Sequence, residues 1–280
     1  WGNPYNWMPM FRADRSYTFS TNISKMAGAH ELRAGFDLIN LHLNTWQPNI
    51  GGGPRGLITF GGGVTALNGG AAPNFLNSFA GMVLGQQYSV SKSTQVYLQT
   101  AREWQYGLYV RDRWQVSRKL TVNLGLRYEL YPLMTRADRG LERWDPFTNK
   151  VYLGGIGGNP MNVGIDVSRK LFAPRVGIAY RLSDKTVIRT GYGMNSDPAS
   201  FARPLRAIYP SVVEATSIGV NTFTPFRPVE QGIPAIPIPD ISSGVINLPA
   251  TVSMGPRSPW GGLMSRGYIQ SWNFTLEHRL

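Results

Sequence analysis

Six arginines and one glutamate are the residues of this 280-residue chain whose types and spacing point to chemistry: Arg111, Arg113, Arg127, Glu129, Arg175, Arg181 and Arg189. All stand at odd positions in segments that alternate apolar and polar. Side chains two apart on a strand share one face, so these guanidiniums form rows that attract anions or pair with carboxylates. Other chemistry is thinly represented. There are no cysteines, which excludes disulfide scaffolds, thiolate zinc sites and cysteine nucleophiles. His30, His42 and His278 have no metal-ligand spacing, and no serine stands in a nucleophile-elbow pattern. GGIGGNP (Gly154–Pro160) is glycine-rich but lacks the phosphate-binding lysine and opens no helix, so it reads as a loop. The expectation is a protein that is not an enzyme and carries no cofactor or metal.

The elements that hold these residues are strands. In LTVNLGLRYELY, every even position from Leu120 to Leu130 is apolar, while Thr121, Asn123, Gly125, Arg127 and Glu129 take the other side. In WQYGLYVRDRWQV, Trp104, Tyr106, Leu108, Val110, Trp114 and Val116 oppose Gln105, Gly107, Arg111, Arg113 and Gln115. Asp112 interrupts that apolar face, which implies a bulge or a position near lipid headgroups. Ser117–Lys119 joins the two segments as a tight hairpin. A second hairpin turns at Ser183–Lys185, with Val176, Ile178, Tyr180, Leu182, Ile188, Tyr192 and Met194 on the apolar side. A third turns at Ala27–His30, joining Tyr17, Phe19 and Ile23 to Leu32, Ala34, Phe36 and Leu38. Weaker candidates are Leu57–Phe60 and Gln86–Leu98, with FLNSFAGMVLG between them as a short helix. YIQSWNFTLEHRL closes a count of about nine strands.

The connections are lopsided. Three tight turns fall at one edge of the sheet, and the long loops 132–172 and 195–265 at the other. Short turns at one end, long loops at the other and strands with one apolar face are the pattern of outer-membrane barrels. A soluble β-sandwich, whose apolar face is its core, is the alternative. Its loops are seldom so uneven, and its solvent face normally carries Lys and Glu rather than Gly, Asn, Gln, Thr and Arg. Lipid-facing Arg or Lys at mid-membrane costs about 2–4 kcal/mol, and the even faces of 120–130 and 176–194 carry no charge. Trp104, Tyr106 and Tyr128 toward the long-loop end, with Trp114 at the turn end, are candidates for aromatic girdles; ordinary strand propensity accounts for them equally well. Only 16% of residues are charged against about 25% in soluble domains, yet the net charge is +12. With 32 glycines and 20 prolines, this composition argues against helical bundles and coiled coils. The basic residues are dispersed, without a stripe or module for nucleic acid. No apolar run approaches the ~20 residues of a membrane helix, and both ends read as cuts through a longer chain. The repeated SRKL (Ser117–Leu120, Ser168–Leu171) precedes a strand each time, an echo of hairpin duplication or chance.

The runs WQYGLYVRDRWQVSRKLTVNLGLRYELY, LFAPRVGIAYRLSDKTVIRTGYGM and YIQSWNFTLEHRL, in that order, resemble the barrel of TonB-dependent transporters, most closely its Oar-like branch. HELRAGFDL, GLITF and FLNSFAGMVLG are similar to the upstream part of the same barrel. Two positions depart from the pattern: Arg113 replaces a second acidic residue, and NSDP follows GYGM in place of an aromatic pair.

The resemblance implies an all-β, antiparallel transmembrane β-barrel, present only in part. At roughly 31 residues per strand, a 22-stranded barrel needs roughly 680 residues. Residues 1–280 are then one piece of a single barrel domain, with extracellular loops at 132–172 and 195–265 and the plug domain outside this sequence. The resemblance implies a location in the outer membrane of a Gram-negative bacterium. It also implies contact with outer-membrane lipid and lipopolysaccharide, coupling to the TonB complex through a missing N-terminal part, and energised uptake of a bulky, unidentified solute. Against it stand a passive porin or barrel-based adhesin, and the soluble sandwich as a binding module. The arginine rows are then either an anion-attracting lumen or partners for plug carboxylates. Loop 195–265, with PAIPIPD and the aromatics Phe201, Tyr209, Phe223, Phe226 and Trp260, is either a stiff binding surface or a solvated, variable loop.

Overall fold

A computed structural model describes residues 10–48, 52–198, 209–248 and 261–279. Phe201 and Trp260 lie outside the described residues. Seven long strands form one antiparallel sheet: β1 (Phe11–Ala27), β2 (His30–Trp46), β3 (Gln99–Gln115), β4 (Leu120–Leu130), β5 (Leu171–Ser183), β6 (Thr186–Ser196) and β7 (Tyr268–His278). Neighbours in the sheet are neighbours in the sequence, which makes a simple up-and-down meander. The sheet is open, with β1 and β7 as its edges.

The hairpins fall where the alternation breaks. Gly28 and Ala29 link β1 to β2, with Gly28 at φ 60°, as a two-residue turn with glycine at its first central position requires. Residues 116–119 and 184–185 make the other two tight turns. A register shift between Arg181 and Ser183 marks an irregularity beside the last of these. The register runs unbroken through Asp112. There is no bulge there; Asp112 lies one pleat inside the turn-end row of Trp114.

Register carries the alternation across all seven strands. Phe36, Leu108, Tyr128 and Phe172 form one cross-strand row, and Leu124, Val176, Tyr192 and Trp272 another. These side chains form a continuous apolar face left largely uncovered: Leu108, Val110, Leu124, Leu126, Phe172 and Val176 are all exposed. The opposite face carries the arginine rows.

Two of the nine anticipated strands are not in this sheet. Leu57–Thr59 and Ser89–Gln95 pair with each other and with Val212–Ile218 in a separate three-stranded sheet. Their sequences explain it: SVSKSTQ has a single large apolar residue, Val90, and that one is buried. Such a segment has no apolar side to turn outward. The anticipated helix forms as α1 (Phe75–Val83), with a capping box in which Asn74 Oδ1 accepts from Leu76 N and Asn77 Oδ1 accepts from Asn74 N.

The consequence is a third long connection, 47–98, on the same edge as 131–170 and 197–267. These three connections pair with one another. The first meets the third through Ser89–Gln95 and Val212–Ile218. The second meets the third through Lys150–Leu153 with Val245–Asn247, and through Ile165–Val167 with Gly262–Met264. The cap so formed holds most of the buried apolar residues. Leu141, Val163 and Ile165 pack with Leu43 and Ala101 at the strand ends, and Val151, Tyr209 and Val213 form a second cluster.

Candidate functional site

The polar face of the sheet is organised by cross-strand rows. Asp37, Gly107 and Glu129 stand side by side on β2, β3 and β4. Arg127 belongs to the next row, opposite Tyr109. Because residue 107 lacks a Cβ, the guanidinium of Arg127 lies over its backbone, where a methyl group would collide with it. From there Nη1 donates to Asp37 Oδ2 at 2.6 Å and Nε donates to Glu129 Oε1 at 3.1 Å. Glu129 is nearly buried, and its other oxygen accepts from the backbone of Ser196 at 3.3 Å. One arginine thus ties β2, β3 and β4, and one glutamate extends the tie to β6. Tyr109 covers Gly35 directly across the strand pair in the same manner, an aromatic ring shielding a glycine backbone.

Toward the turns, Glu31 is shared by three arginines: Arg111 and Arg113 at 3.5 Å each and Arg33 at 3.7 Å. Three cations on one carboxylate leave positive charge uncompensated, and the buried Nε atoms of Arg33 and Arg111 have no hydrogen-bond partner. Arg175 Nη2 donates to a neutral group, Asn195 Oδ1, at 2.6 Å. Arg33, Arg111, Arg127 and Arg175 line a depression of about 550 Å³ together with Gly125 and Gly177. Farther along, Arg189 pairs with Glu277 at 3.1 Å, and Arg181 Nη2 donates to the carbonyl of Arg118 at 3.2 Å.

The seven anticipated residues therefore share one face, but they do not make one cluster. Glu31, Asp37 and Glu277 supply more acid on this wall than the sequence reading counted. The Ala27–His30 turn fixes only the register of β1 against β2; Glu31 opposite Arg113 and Asp37 opposite Gly107 depend on the register of β2 against β3, across the long connection 47–98. The aromatic candidates lie on the apolar face. Trp104 stacks with Tyr106 (centroids 6.2 Å apart), Tyr128 packs on Phe172 (5.1 Å), and Trp114 stacks on His30 (5.3 Å) at the turn end. His30 Nδ1 lies 2.7 Å from Asp112 Oδ2, so the interruption of the apolar face is paired locally.

Arg266 guards the junction of sheet and cap. It donates to the carbonyls of Pro198 and Tyr131 and lies over the Tyr131 ring. Burial lowers the pKa of this guanidinium, and burial together with Glu129 raises that of the Tyr131 phenol. In the cap, Ile236–Pro239 of PAIPIPD line an apolar hollow of about 320 Å³ with Tyr209 and Val213. Tyr209 is buried there, while Phe226 lies under the Arg227 guanidinium at 4.6 Å.

An open antiparallel meander, one face apolar and uncovered and the other polar and ion-paired, matches a family of known sequence. The model of the outer membrane beta barrel domain matches residues 1–280. The chain belongs to that family. It is accordingly a protein of the bacterial outer membrane. No curated protein and no solved structure matches the sequence. The guanidinium rows of the polar face can hold and orient an anion and set the local potential.

Proposed function

We propose that this barrel domain is part of the wall of a TonB-dependent transporter, taking up a bulky solute with energy delivered from the inner membrane. The observation that carries the reading is where the resembling runs fall. The three stretches similar to TonB-dependent barrels occupy β3–β4, β5–β6 and β7, five adjacent strands of one sheet in sequence order. The tight turns then face the periplasm and the cap faces the exterior, where its interlocked loops make first contact with solute. The arginine face lines the lumen, and Trp104, Tyr106 and Tyr128 with Trp114 form the two interfacial girdles.

The test uses the intact gene product. Reconstituted in a planar bilayer in KCl, an energised transporter stays closed, and it retains the purified C-terminal domain of TonB. A steady open conductance with no TonB retention would establish a passive porin instead.

A further inference from the structure

Asparagine is followed by glycine once in this chain, at Asn68–Gly69, and by serine twice, at Asn77–Ser78 and Asn195–Ser196. Such pairs carry a latent reaction. The backbone nitrogen of the second residue can attack the side-chain Cγ of the first, and a small second residue leaves that approach open. Two conditions decide whether it happens in a folded chain. The carboxamide must be free to turn, and the attacking nitrogen must not be held in a hydrogen bond.

Asn68 and Gly69 meet both conditions. They are the central residues of a turn in the first long connection, closed by Gly70 N donating to the Leu67 carbonyl at 3.0 Å. Gly69 has φ 82°, as the third residue of a type II turn requires. In such a turn the N–H of the third residue takes no part in the closing bond. Residues 67–70 are all exposed. Among the described residues, neither the Asn68 carboxamide nor Gly69 N has a hydrogen-bond partner.

The two serine pairs are locked. Asn77 Oδ1 accepts from Asn74 N and its Nδ2 donates to the Thr65 carbonyl, while Ser78 N donates to the Asn74 carbonyl in the first turn of α1. On β6, Asn195 Oδ1 accepts from Arg175 at 2.6 Å, and Ser196 N donates to Glu129 Oε2 at 3.3 Å. In both pairs the side chain and the nitrogen behind it are already engaged.

We infer that Asn68 is a site of covalent self-modification, at which the chain exchanges a neutral amide for a carboxylate. Gly69 N gives its proton to solvent base and bonds to Asn68 Cγ. The Cγ–Nδ2 bond breaks, and Nδ2 takes up a proton and leaves as ammonia. One water then opens the five-membered imide. Attack at Cγ leaves aspartate, and attack at the backbone carbonyl of residue 68 leaves isoaspartate, with the main chain routed through Cγ. Water is the one co-reactant, and no electrons change hands. No residue from Gly56 to Ser91 is charged, so the new carboxylate is the sole charge in that stretch of the cap. The chemistry is independent of energised transport.

Full-length protein in detergent is held at mildly alkaline pH in water enriched in heavy oxygen. Trypsin then releases Gly56–Lys92 as one peptide, since no Lys or Arg lies between its ends. Mass spectrometry should show Asn68 converted with one heavy oxygen gained, as aspartate and isoaspartate, while Asn77 and Asn195 stay intact. In guanidinium-unfolded protein Asn68 should react at nearly its folded rate, and Asn77 and Asn195 should begin to react as well. Gly69→Ala is expected to slow conversion about tenfold by placing a methyl group beside the attacking nitrogen. Asn68→Gln, which would have to close a larger ring, should leave the peptide unmodified on the same timescale. An Asn68 that stays intact in the folded protein would overturn the assignment. So would conversion of Asn77 or Asn195 in the folded protein as fast as that of Asn68, because the fold would then select nothing.

Discussion

The seven-stranded sheet and the cap are built from the same chain on opposite plans. The sheet turns its large apolar side chains outward and keeps no core of its own; Phe19, Leu108, Val110, Leu126 and Phe274 are all exposed. The cap does the reverse, burying Leu141, Val151, Leu153, Ile165 and Tyr209 almost completely. Apolar burial drives both regions: the cap obtains it from itself, whereas the sheet, in the reading proposed above, obtains it from lipid. The cap therefore needs internal order where the sheet needs only the right side facing out. Among the described residues, that order comes from four short loop sheets and from a buried ion cluster. Arg136 and Arg139, both buried, grip Glu142 at 2.8 and 2.9 Å. Arg136 also donates to the carbonyl of Thr100 on β3, and Arg139 to Ser211 Oγ in the third connection.

That cluster offers the sharpest way to separate the two regions. Glu142→Ala leaves two buried guanidiniums without their shared carboxylate, and removing one partner of a buried pair typically costs about 3–5 kcal/mol. The loss should fall on the cap alone. Limited proteolysis is expected to cut between residues 131 and 170 while the sheet keeps its circular dichroism and its resistance in membranes. Coincident loss of strand signal would mean that cap and sheet are one cooperative unit.

The complementary change acts on the sheet. Val110 stands at mid-height on the apolar face, so Val110→Arg should cost about 2–4 kcal/mol in urea titrations of folding into lipid vesicles. The chain carries its own control, because Arg111 stands at nearly the same depth one residue away, facing the other side. A Val110→Arg protein as stable as wild type would mean that this face does not meet hydrocarbon.

The same contrast explains what could be read from the sequence. From β3 to β7 the alternation holds over most pleats, with Asp112, Thr190 and Gln270 as interruptions of the apolar face. At the far ends of β1 and β2 it fades: Arg15, His42 and Asn44 take positions on the apolar face, and the ladder runs on to Phe11 and Trp46 without a period to show it. In the cap there is no period at all. Its strands are short, and their partners lie far off along the chain, as with Lys150–Leu153 and Val245–Asn247. Hence Leu57–Phe60 and Gln86–Leu98 pass as sheet strands by residue type, although tertiary pairing sends them to the cap. Among the arginines, the face was legible but not the partners. Pairing depends on register between β2 and β3, and only the short turns transmit register through sequence.

The smallest expected effect probes the packing of the polar face. Gly107→Ala places a methyl group where the Arg127 guanidinium lies. The obstacle is the end of a flexible side chain, so the guanidinium swings away and the sheet survives. What goes is the bond to Asp37, whose side chain keeps 28% of its exposure, a contact worth about 1 kcal/mol. Asp37→Asn should cost a similar amount by removing the acceptor's charge. If the glycine exists to let Arg127 reach Asp37, the two costs overlap, and the double variant should lose little more than either single one in the same vesicle titrations. Additive losses would show that Gly107 serves the backbone of β3 itself, and that Arg127 reaches Asp37 by another route.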